Sequence, residues 1–260
     1  MKQVTILIVA YNYAQYIEKC ILSCLNQKNF SDYEIVVVDG GSTDGTTDIA
    51  REYTDKIITS EFHGFDKERN KGTDAAAGDW ILQLDGDEVV TTEFKERLEH
   101  LLAGDDEGCV SFKFRRKNIF LDHPMMYGGW YHYSAHLFKK GCARYEGDIH
   151  EKLIVDGRQG KMEQGVRHYP FNSFSEFINR QNRYTSLQAE EMYRINKDIP
   201  LKEVMYNLKG RPLKLFWKMY VKKKGYREKT HGFIFSILFA WVHFLKWAKY
   251  WELVRERYGK

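Results

Sequence analysis

The chain is predicted to fold as an α/β protein with a mainly parallel sheet flanked by helices, on three observations. Strand-like and helix-like hydrophobic patterns alternate from residue 4 to residue 100. The strand runs are apolar almost throughout, as in a sheet covered on both faces. Several of these runs also stop abruptly in acidic or amide side chains, the ending expected where a parallel sheet presents its carboxyl edge to a ligand.

Taken in order, Val4-Thr5-Ile6-Leu7-Ile8-Val9-Ala10 is a first strand closed by Tyr11-Asn12, and Ile17, Cys20, Ile21, Cys24 and Leu25 recur at helical spacing. Tyr33 to Val38 is a second strand ending in Asp39-Gly40-Gly41-Ser42-Thr43-Asp44. Thr43 or Asp44 can cap the helix that follows through Tyr53. Ile57 to Ser60 is a third strand, Asp66 to Ala77 a third helix, and Trp80 to Leu84 a fourth strand closed by Asp85-Gly86-Asp87-Glu88. The order βαβαβαβ implies right-handed crossovers.

Asn12, Asp39, Glu61 and Asp85 all fall at or just beyond strand ends on one edge, so that edge is the predicted site. The D-x-D of Asp85 and Asp87 suits a hard divalent cation shared with substrate phosphates, or else a capped strand-to-helix turn. Asp39 and Asp44 flank a Gly-Gly-Ser turn that lets backbone approach a ligand while a carboxylate accepts from a base N–H or ribose hydroxyl. Neither G-x-G-x-x-G nor a P-loop follows the first strand. Carboxylates stand where those folds present amides, so a bound diphosphate requires a bridging cation.

Composition narrows the classes. Forty Lys and Arg against 36 Asp and Glu leave a formal charge of +4 in 260 residues, so no global basic field points to nucleic acid. Cys20, Cys24, Cys109 and Cys142 have no C-x-x-C spacing and read as core thiols of a reducing, cytoplasmic compartment. No signal-peptide pattern opens the sequence. The longest apolar run, Phe233 to Leu245, is interrupted by Ser236 and His243 and is expected to be too short to span a bilayer.

On the motifs Val4 to Asn12, Val36-Val37-Val38-Asp39-Gly40-Gly41-Ser42-Thr43-Asp44, Arg69-Asn70-Lys71-Gly72, Ala77-Gly78-Asp79-Trp80 and Leu84-Asp85-Gly86-Asp87-Glu88, the sequence resembles a family 2 glycosyltransferase of the GT-A fold. With His150-Glu151 and His168-Tyr169, it most resembles the branch containing lipopolysaccharide core glucosyltransferases. The resemblance implies a UDP-hexose donor held by Ala10, Tyr11, Asn12, Asp39, Ser42, Asp44, Arg69, Asn70, Asp85 and Gly86, with Asp39 and Asp44 on the uridine side. It implies Mg²⁺ or Mn²⁺ bound by Asp87, with Asp85 near ribose or metal and His168 as a further ligand or a packing residue. It implies Glu151, or secondly Asp148, as the base that deprotonates the acceptor hydroxyl, with inversion at the anomeric carbon. Where relatives often read Arg-Leu-Phe-Arg, this chain has His136-Leu137-Phe138-Lys139, which lacks the bidentate arginine fork.

The predicted organisation is a catalytic domain over 1–196, with a nucleotide-binding half (1–100) and an acceptor-binding half (101–196), and a basic, aromatic helical appendage over 197–260. Ser173 to Asn196 has helical periodicity, and Lys209-Gly210-Arg211-Pro212 is expected to break the chain. Gly128-Gly129-Trp130 reads either as a lip on which a sugar stacks or as a turn carrying core aromatics. Lysines interleaved with aromatics after Leu213 suit an anionic membrane surface, or else internal packing. The predicted partners are therefore a UDP-sugar, a glycan or glycolipid acceptor and the inner face of the cytoplasmic membrane, with no nucleic acid. A sugar-1-phosphate nucleotidyltransferase and a noncatalytic nucleotide-sugar-binding scaffold are the rival readings.

Overall fold

A computed structural model describes residues 4–25, 33–60, 65–147 and 152–258. The chain divides into two compact units, 1–117 with 132–168 and 118–131 with 169–260.

In the first unit the strands β1 (Val4–Ala10), β2 (Tyr33–Asp39), β3 (Ile57–Thr59) and β4 (Trp80–Asp85) alternate with α1 (Ala14–Leu25), α2 (Thr46–Arg51) and α3 (Phe65–Ala75). They pair in parallel in the order β3-β2-β1-β4. β1 shows why its sequence is apolar throughout. Ile6 and Ile8 pack with Ile17 and Ile21 on one face, while Leu7 packs with Val36, Val38 and Ile81 on the other. Gly72 of α3 permits close helix–sheet approach, since a Cβ there would lie 2.1 Å from Leu7 Cδ1.

Beyond β4 come β5 (Glu88–Val90), α4 (Thr92–Leu102), β6 (Ser111–Phe120), β7 (His123–Pro124), β8 (His132–Lys139), β9 (Ala143–Glu146), β10 (Lys152–Val155) and β11 (Gln159–His168). Among the described residues the sheet continues from β4 through β8, β6 and β11 to β5, with antiparallel β4–β8, β6–β8 and β11–β5 pairs. The sheet is thus mixed and flanked by helices: the expected parallel arrangement holds in the half that carries the acidic strand ends, and the pairs named beyond β4 are antiparallel. β9 and β10 form a separate antiparallel pair.

The second unit holds β7, where Ile119 and Phe120 of β6 pair with Pro124 and His123, and three helices, α5 (Phe174–Ile195), α6 (Leu201–Trp217) and α7 (Lys229–Tyr258). α5 starts where its sequence predicts: Ser173 Oγ accepts from Glu176 N at 3.1 Å, and Glu176 accepts from Asn172 N at 2.8 Å. The expected break at Lys209–Pro212 is absent, because α6 runs through Gly210 and Pro212 before a π-helical turn at Lys218–Lys222. Local breaker chemistry is overridden by packing, with Val204 and Leu208 of α6 clustered with Trp247, Tyr250 and Val254 of α7. Trp130 stacks on Phe235 at 4.6 Å and on Phe171 at 5.8 Å, so this aromatic belongs to the unit's core cluster.

The helical stretch Gly225–Glu256 is long and apolar enough, by length and composition alone, to cross a membrane. The apolar run Phe233 to Leu245 is only part of α7, which extends over 30 residues, so the expectation that it is too short does not hold for the whole helix. Phe235, Trp247, Tyr250 and Val254 on it are buried within the unit.

Candidate active site

Parallel register sets the site. Ala10 pairs with Asp39 and Val9 with Asp85, so the ends of β1, β2 and β4 lie level along one edge. The chain leaves β1 through Asn12, held at a positive φ of 54°. Its N–H donates to Ser42 Oγ at 2.8 Å and its Oδ1 accepts from Thr43 N at 2.9 Å. Asp39, almost wholly buried, accepts from Ser42 N at 3.1 Å and from Thr47 Oγ1 at 3.0 Å. Asp44 accepts from Ala14 N at 3.0 Å and from Thr46 N at 3.1 Å. Although burial alone would raise its pKa, these hydrogen bonds, Thr46 foremost, hold the Asp44 carboxyl below its ordinary value. Gly40 N donates to Ala10 O at 3.0 Å, and a Cβ at Gly40 would sit 3.5 Å from the ring of Tyr11. Ala10, Tyr11, Asn12, Asp39, Ser42 and Asp44 are therefore brought together as one preorganised turn.

Asp85 closes β4 and is gripped from two sides. Arg69 Nη2 lies 2.9 Å from its Oδ1 and Arg116 Nη2 2.9 Å from its Oδ2, with Gln83 Nε2 at 3.2 Å. Burial would push this carboxyl up, but the two guanidiniums more than offset that and hold it well below the usual range. Arg116 also reaches Glu88, its Nε 2.7 Å from Oε1, while Glu88 Oε2 accepts from Asp85 N at 2.9 Å. Burial raises Glu88 to about 7, with Arg116 opposing and Asp85 adding to the rise. Gly86 N donates to Val9 O at 3.0 Å, and a Cβ at Gly86 would lie 2.7 Å from the Tyr13 ring. The tight Asp85-Gly86-Asp87 corner thus tolerates little but glycine.

Asp87 is buried, and His168 Nε2 lies 3.4 Å from its Oδ1. The antiparallel β11–β5 register places His168 opposite Glu88, bringing two residues far apart in sequence side by side. Burial first, then Arg116, lowers the His168 pKa against the opposing pull of Asp87, which favours the neutral imidazole that can ligate a metal. Among the described residues, no group of three or more His, Cys, Asp or Glu side chains could hold a metal ion. The Asp87–His168 pair offers two donors, fitting a cation that takes its remaining ligands from phosphate oxygens and water. Asp85 is occupied by the two arginines.

Asn70 bridges inward: its Nδ2 donates to Tyr145 O at 2.8 Å and its Oδ1 accepts from Tyr145 N at 3.0 Å. The His136-Leu137-Phe138-Lys139 stretch likewise faces protein groups. His136 Nδ1 is 2.9 Å from Tyr145 Oη, Lys139 pairs with Asp106 at 2.8 Å, and burial pushes the His136 pKa down to about 3. Glu61, Asp148, His150 and Glu151 lie outside the described residues. Sequence reasoning missed Arg116. Its signal was present: Phe112, Phe114 and Arg116 share the period of one strand face, and a cation on an apolar face requires a buried acid.

The chain is similar to known proteins. Glycosyl transferase family 2 matches residues 5–162. The lipopolysaccharide core biosynthesis glycosyltransferase LpsC of Rhizobium meliloti is 26% identical over 94% of this chain and 90% of its own length. An uncharacterized glycosyltransferase of Rickettsia felis is 24% identical over 96% of this chain and 89% of its own. Among solved structures, S. aureus TarS 1-349 in complex with UDP-GlcNAc covers 99% of this chain and 92% of that one, at 15% identity and a TM-score of 0.49. With the family match extending over more than half of its length, the chain belongs to glycosyl transferase family 2 and is a glycosyltransferase.

Proposed function

We propose that the enzyme moves a hexose from a nucleotide sugar, a UDP-hexose such as UDP-glucose, to a hydroxyl of a cell-surface glycan or lipopolysaccharide-type core. The reaction is metal-dependent and inverting, and it takes place peripherally at the inner face of the cytoplasmic membrane. The observation that carries the reading is the level row of strand ends, with a preorganised Asn12–Asp39–Asp44 turn at one end and the Asp87–His168 pair beside Asp85 at the other. The name of LpsC, similar over most of both chains, supports the acceptor class.

In this reading the turn 39–44 takes the uridine. Asn12 and Ser42 fix its backbone, and Asp39 and Asp44 present carboxylate edges to base and ribose donors. Asp87 and His168 would hold Mg²⁺ or Mn²⁺, which when bound neutralises charge on the departing diphosphate. Arg69 and Arg116, aligned by Asp85, add fixed positive charge in a partly dry cleft where it is worth more than in water. Glu151, or Asp148, takes the proton from the acceptor hydroxyl as its oxygen bonds to the anomeric carbon and the bond to the diphosphate breaks. One displacement inverts the configuration.

Calorimetric titration with UDP, ADP and GDP, in Mn²⁺ and in EDTA, tests the donor assignment. UDP is expected to bind best and to lose roughly tenfold or more in affinity without the cation. Equal affinities for the three nucleotides would overturn the assignment.

A further inference from the structure

The second unit carries a surface whose charge and apolar content are not used by the chemistry above. Between Lys209 and Arg227 the sequence has eight Lys or Arg residues and no Asp or Glu. All eight are exposed. The acid that follows, Glu228, does not offset them, because it is buried and turned inward. Its Oε1 accepts from Met126 N at 2.8 Å and Tyr127 N at 2.7 Å, and its Oε2 meets His123 Nε2 at 2.6 Å.

Apolar groups lie along the same stretch. Leu213, Phe216, Trp217 and Tyr220 follow a three-and-four spacing, with Leu213 74% and Trp217 57% exposed. Phe216 stacks on Tyr220 at 5.4 Å, and Phe233 at the start of α7 meets both rings edge-on at 5.9 and 5.6 Å. Lys214, Lys218 and Lys222 repeat every four residues; Lys214 and Lys218 directly follow Leu213 and Trp217 of this apolar row, and Lys222 lies two residues after Tyr220. Along α7, Phe233, Ile237, Phe244 and Trp251 are exposed, while Phe235, Trp247, Tyr250 and Val254 are buried. The helix therefore has one face committed to the unit and another open.

We infer that this surface, from Leu213 to Arg227 and along the open face of α7, docks in the plane of an anionic lipid bilayer. Lysine ammoniums would meet lipid phosphates while Leu213, Trp217 and Phe233 enter the headgroup–acyl boundary. An anionic bilayer accounts for both parts of the surface, the exposed lysines through its phosphates and the exposed indole and alkyl groups beside them through its apolar boundary. A helix that spanned the bilayer would have to give up the packing of Trp247, Tyr250 and Val254. The inference deepens the membrane-side part of the proposed function and rests on it for its purpose. Vesicle binding needs no donor, so failure of docking and failure of the donor assignment are separate results.

The test is co-sedimentation of the full chain with vesicles of phosphatidylcholine alone and of phosphatidylcholine with phosphatidylglycerol. The parent is expected to bind only the anionic vesicles and to be released by salt. Neutralising Lys214, Lys218 and Lys222 together to Gln should weaken binding by about a hundredfold, since each lysine contributes roughly a factor of five near an anionic surface. Trp217→Ser should weaken it further. Both variants should keep the parent's melting temperature and its vesicle-free release of nucleotide from donor. Equal binding to both vesicle types, unchanged binding of the triple variant, or resistance to alkaline carbonate extraction would each overturn in-plane docking. So would binding to heparin that matches vesicle binding and is indifferent to Trp217→Ser.

Discussion

Replacing Arg116 with glutamine removes the cation that joins Asp85 to Glu88, and its cost follows from the contacts. In the parent, Arg116 lies 2.9 Å from Asp85 and 2.7 Å from Glu88, and Glu88 is almost wholly buried. Breaking a buried ion pair by removing one partner costs about 3–5 kcal/mol. Two features move the expectation to the lower limit of that range and somewhat below it. Asp85 keeps Arg69 at 2.9 Å, and Glu88, already raised to about 7, escapes its buried charge by taking up a proton near neutrality. We expect a loss of about 2–3 kcal/mol at pH 7, or roughly 4–12 °C in melting temperature for a chain of this size.

The loss should depend on pH. A carboxyl raised on folding stabilises fully below its unfolded pKa of about 4.3, and that contribution disappears as pH rises through the folded value. Without Arg116 the folded value of Glu88 moves higher still, so the variant pays more at pH 8 than at pH 6. Asp85 runs the other way: its depressed carboxyl stabilises above about pH 3.9, and this is lost as pH falls below that point. Scanning calorimetry of parent and variant at pH 6 and pH 8 measures the Glu88 effect, since both values lie above the range in which Asp85 titrates. A variant that melts with the parent at both values, or suffers more at pH 6, would refute the ion-pair reasoning.

Three further changes probe separate parts of the account. Gly78→Ala places a Cβ 2.6 Å from Thr5 N, a backbone atom of β1, and should cost about 1–3 kcal/mol in a denaturant melt. Asn70→Ala strips the partner from the buried N–H of Tyr145 and should destabilise by about 1–3 kcal/mol, which places Asn70 in the scaffold if nucleotide affinity is unchanged. Asp87→Asn should reduce cation-dependent turnover by about a hundredfold or more while leaving the melting temperature close to the parent's, since a buried charge is removed with its shape retained.

Much of the first unit was legible because its information is local. The apolar run of β1 and the abrupt Asp39 and Asp85 endings state both the sheet and the edge that carries the candidate site. What the sequence could not display was pairing across distance. His168 meets Asp87 only through the antiparallel β11–β5 register, and Arg116 reaches Asp85 only because β6 lies within the same sheet. The roles of Asn70 and Trp130 were open for the same reason, since an amide or an indole serves a ligand or the core according to what folds beside it. At Gly210 and Pro212 the local signal misled, because α6–α7 packing holds a helix through residues that ordinarily end one.

Release of nucleotide from a panel of UDP-hexoses, with Mn²⁺ or EDTA and with water as the acceptor, tests the central claim most directly. The account predicts UDP release from one donor above the others, raised roughly tenfold or more by the cation and lost in Asp87→Asn. Release that is equal in EDTA, or unaffected by Asp87→Asn, would contradict a cation held at the Asp87–His168 pair.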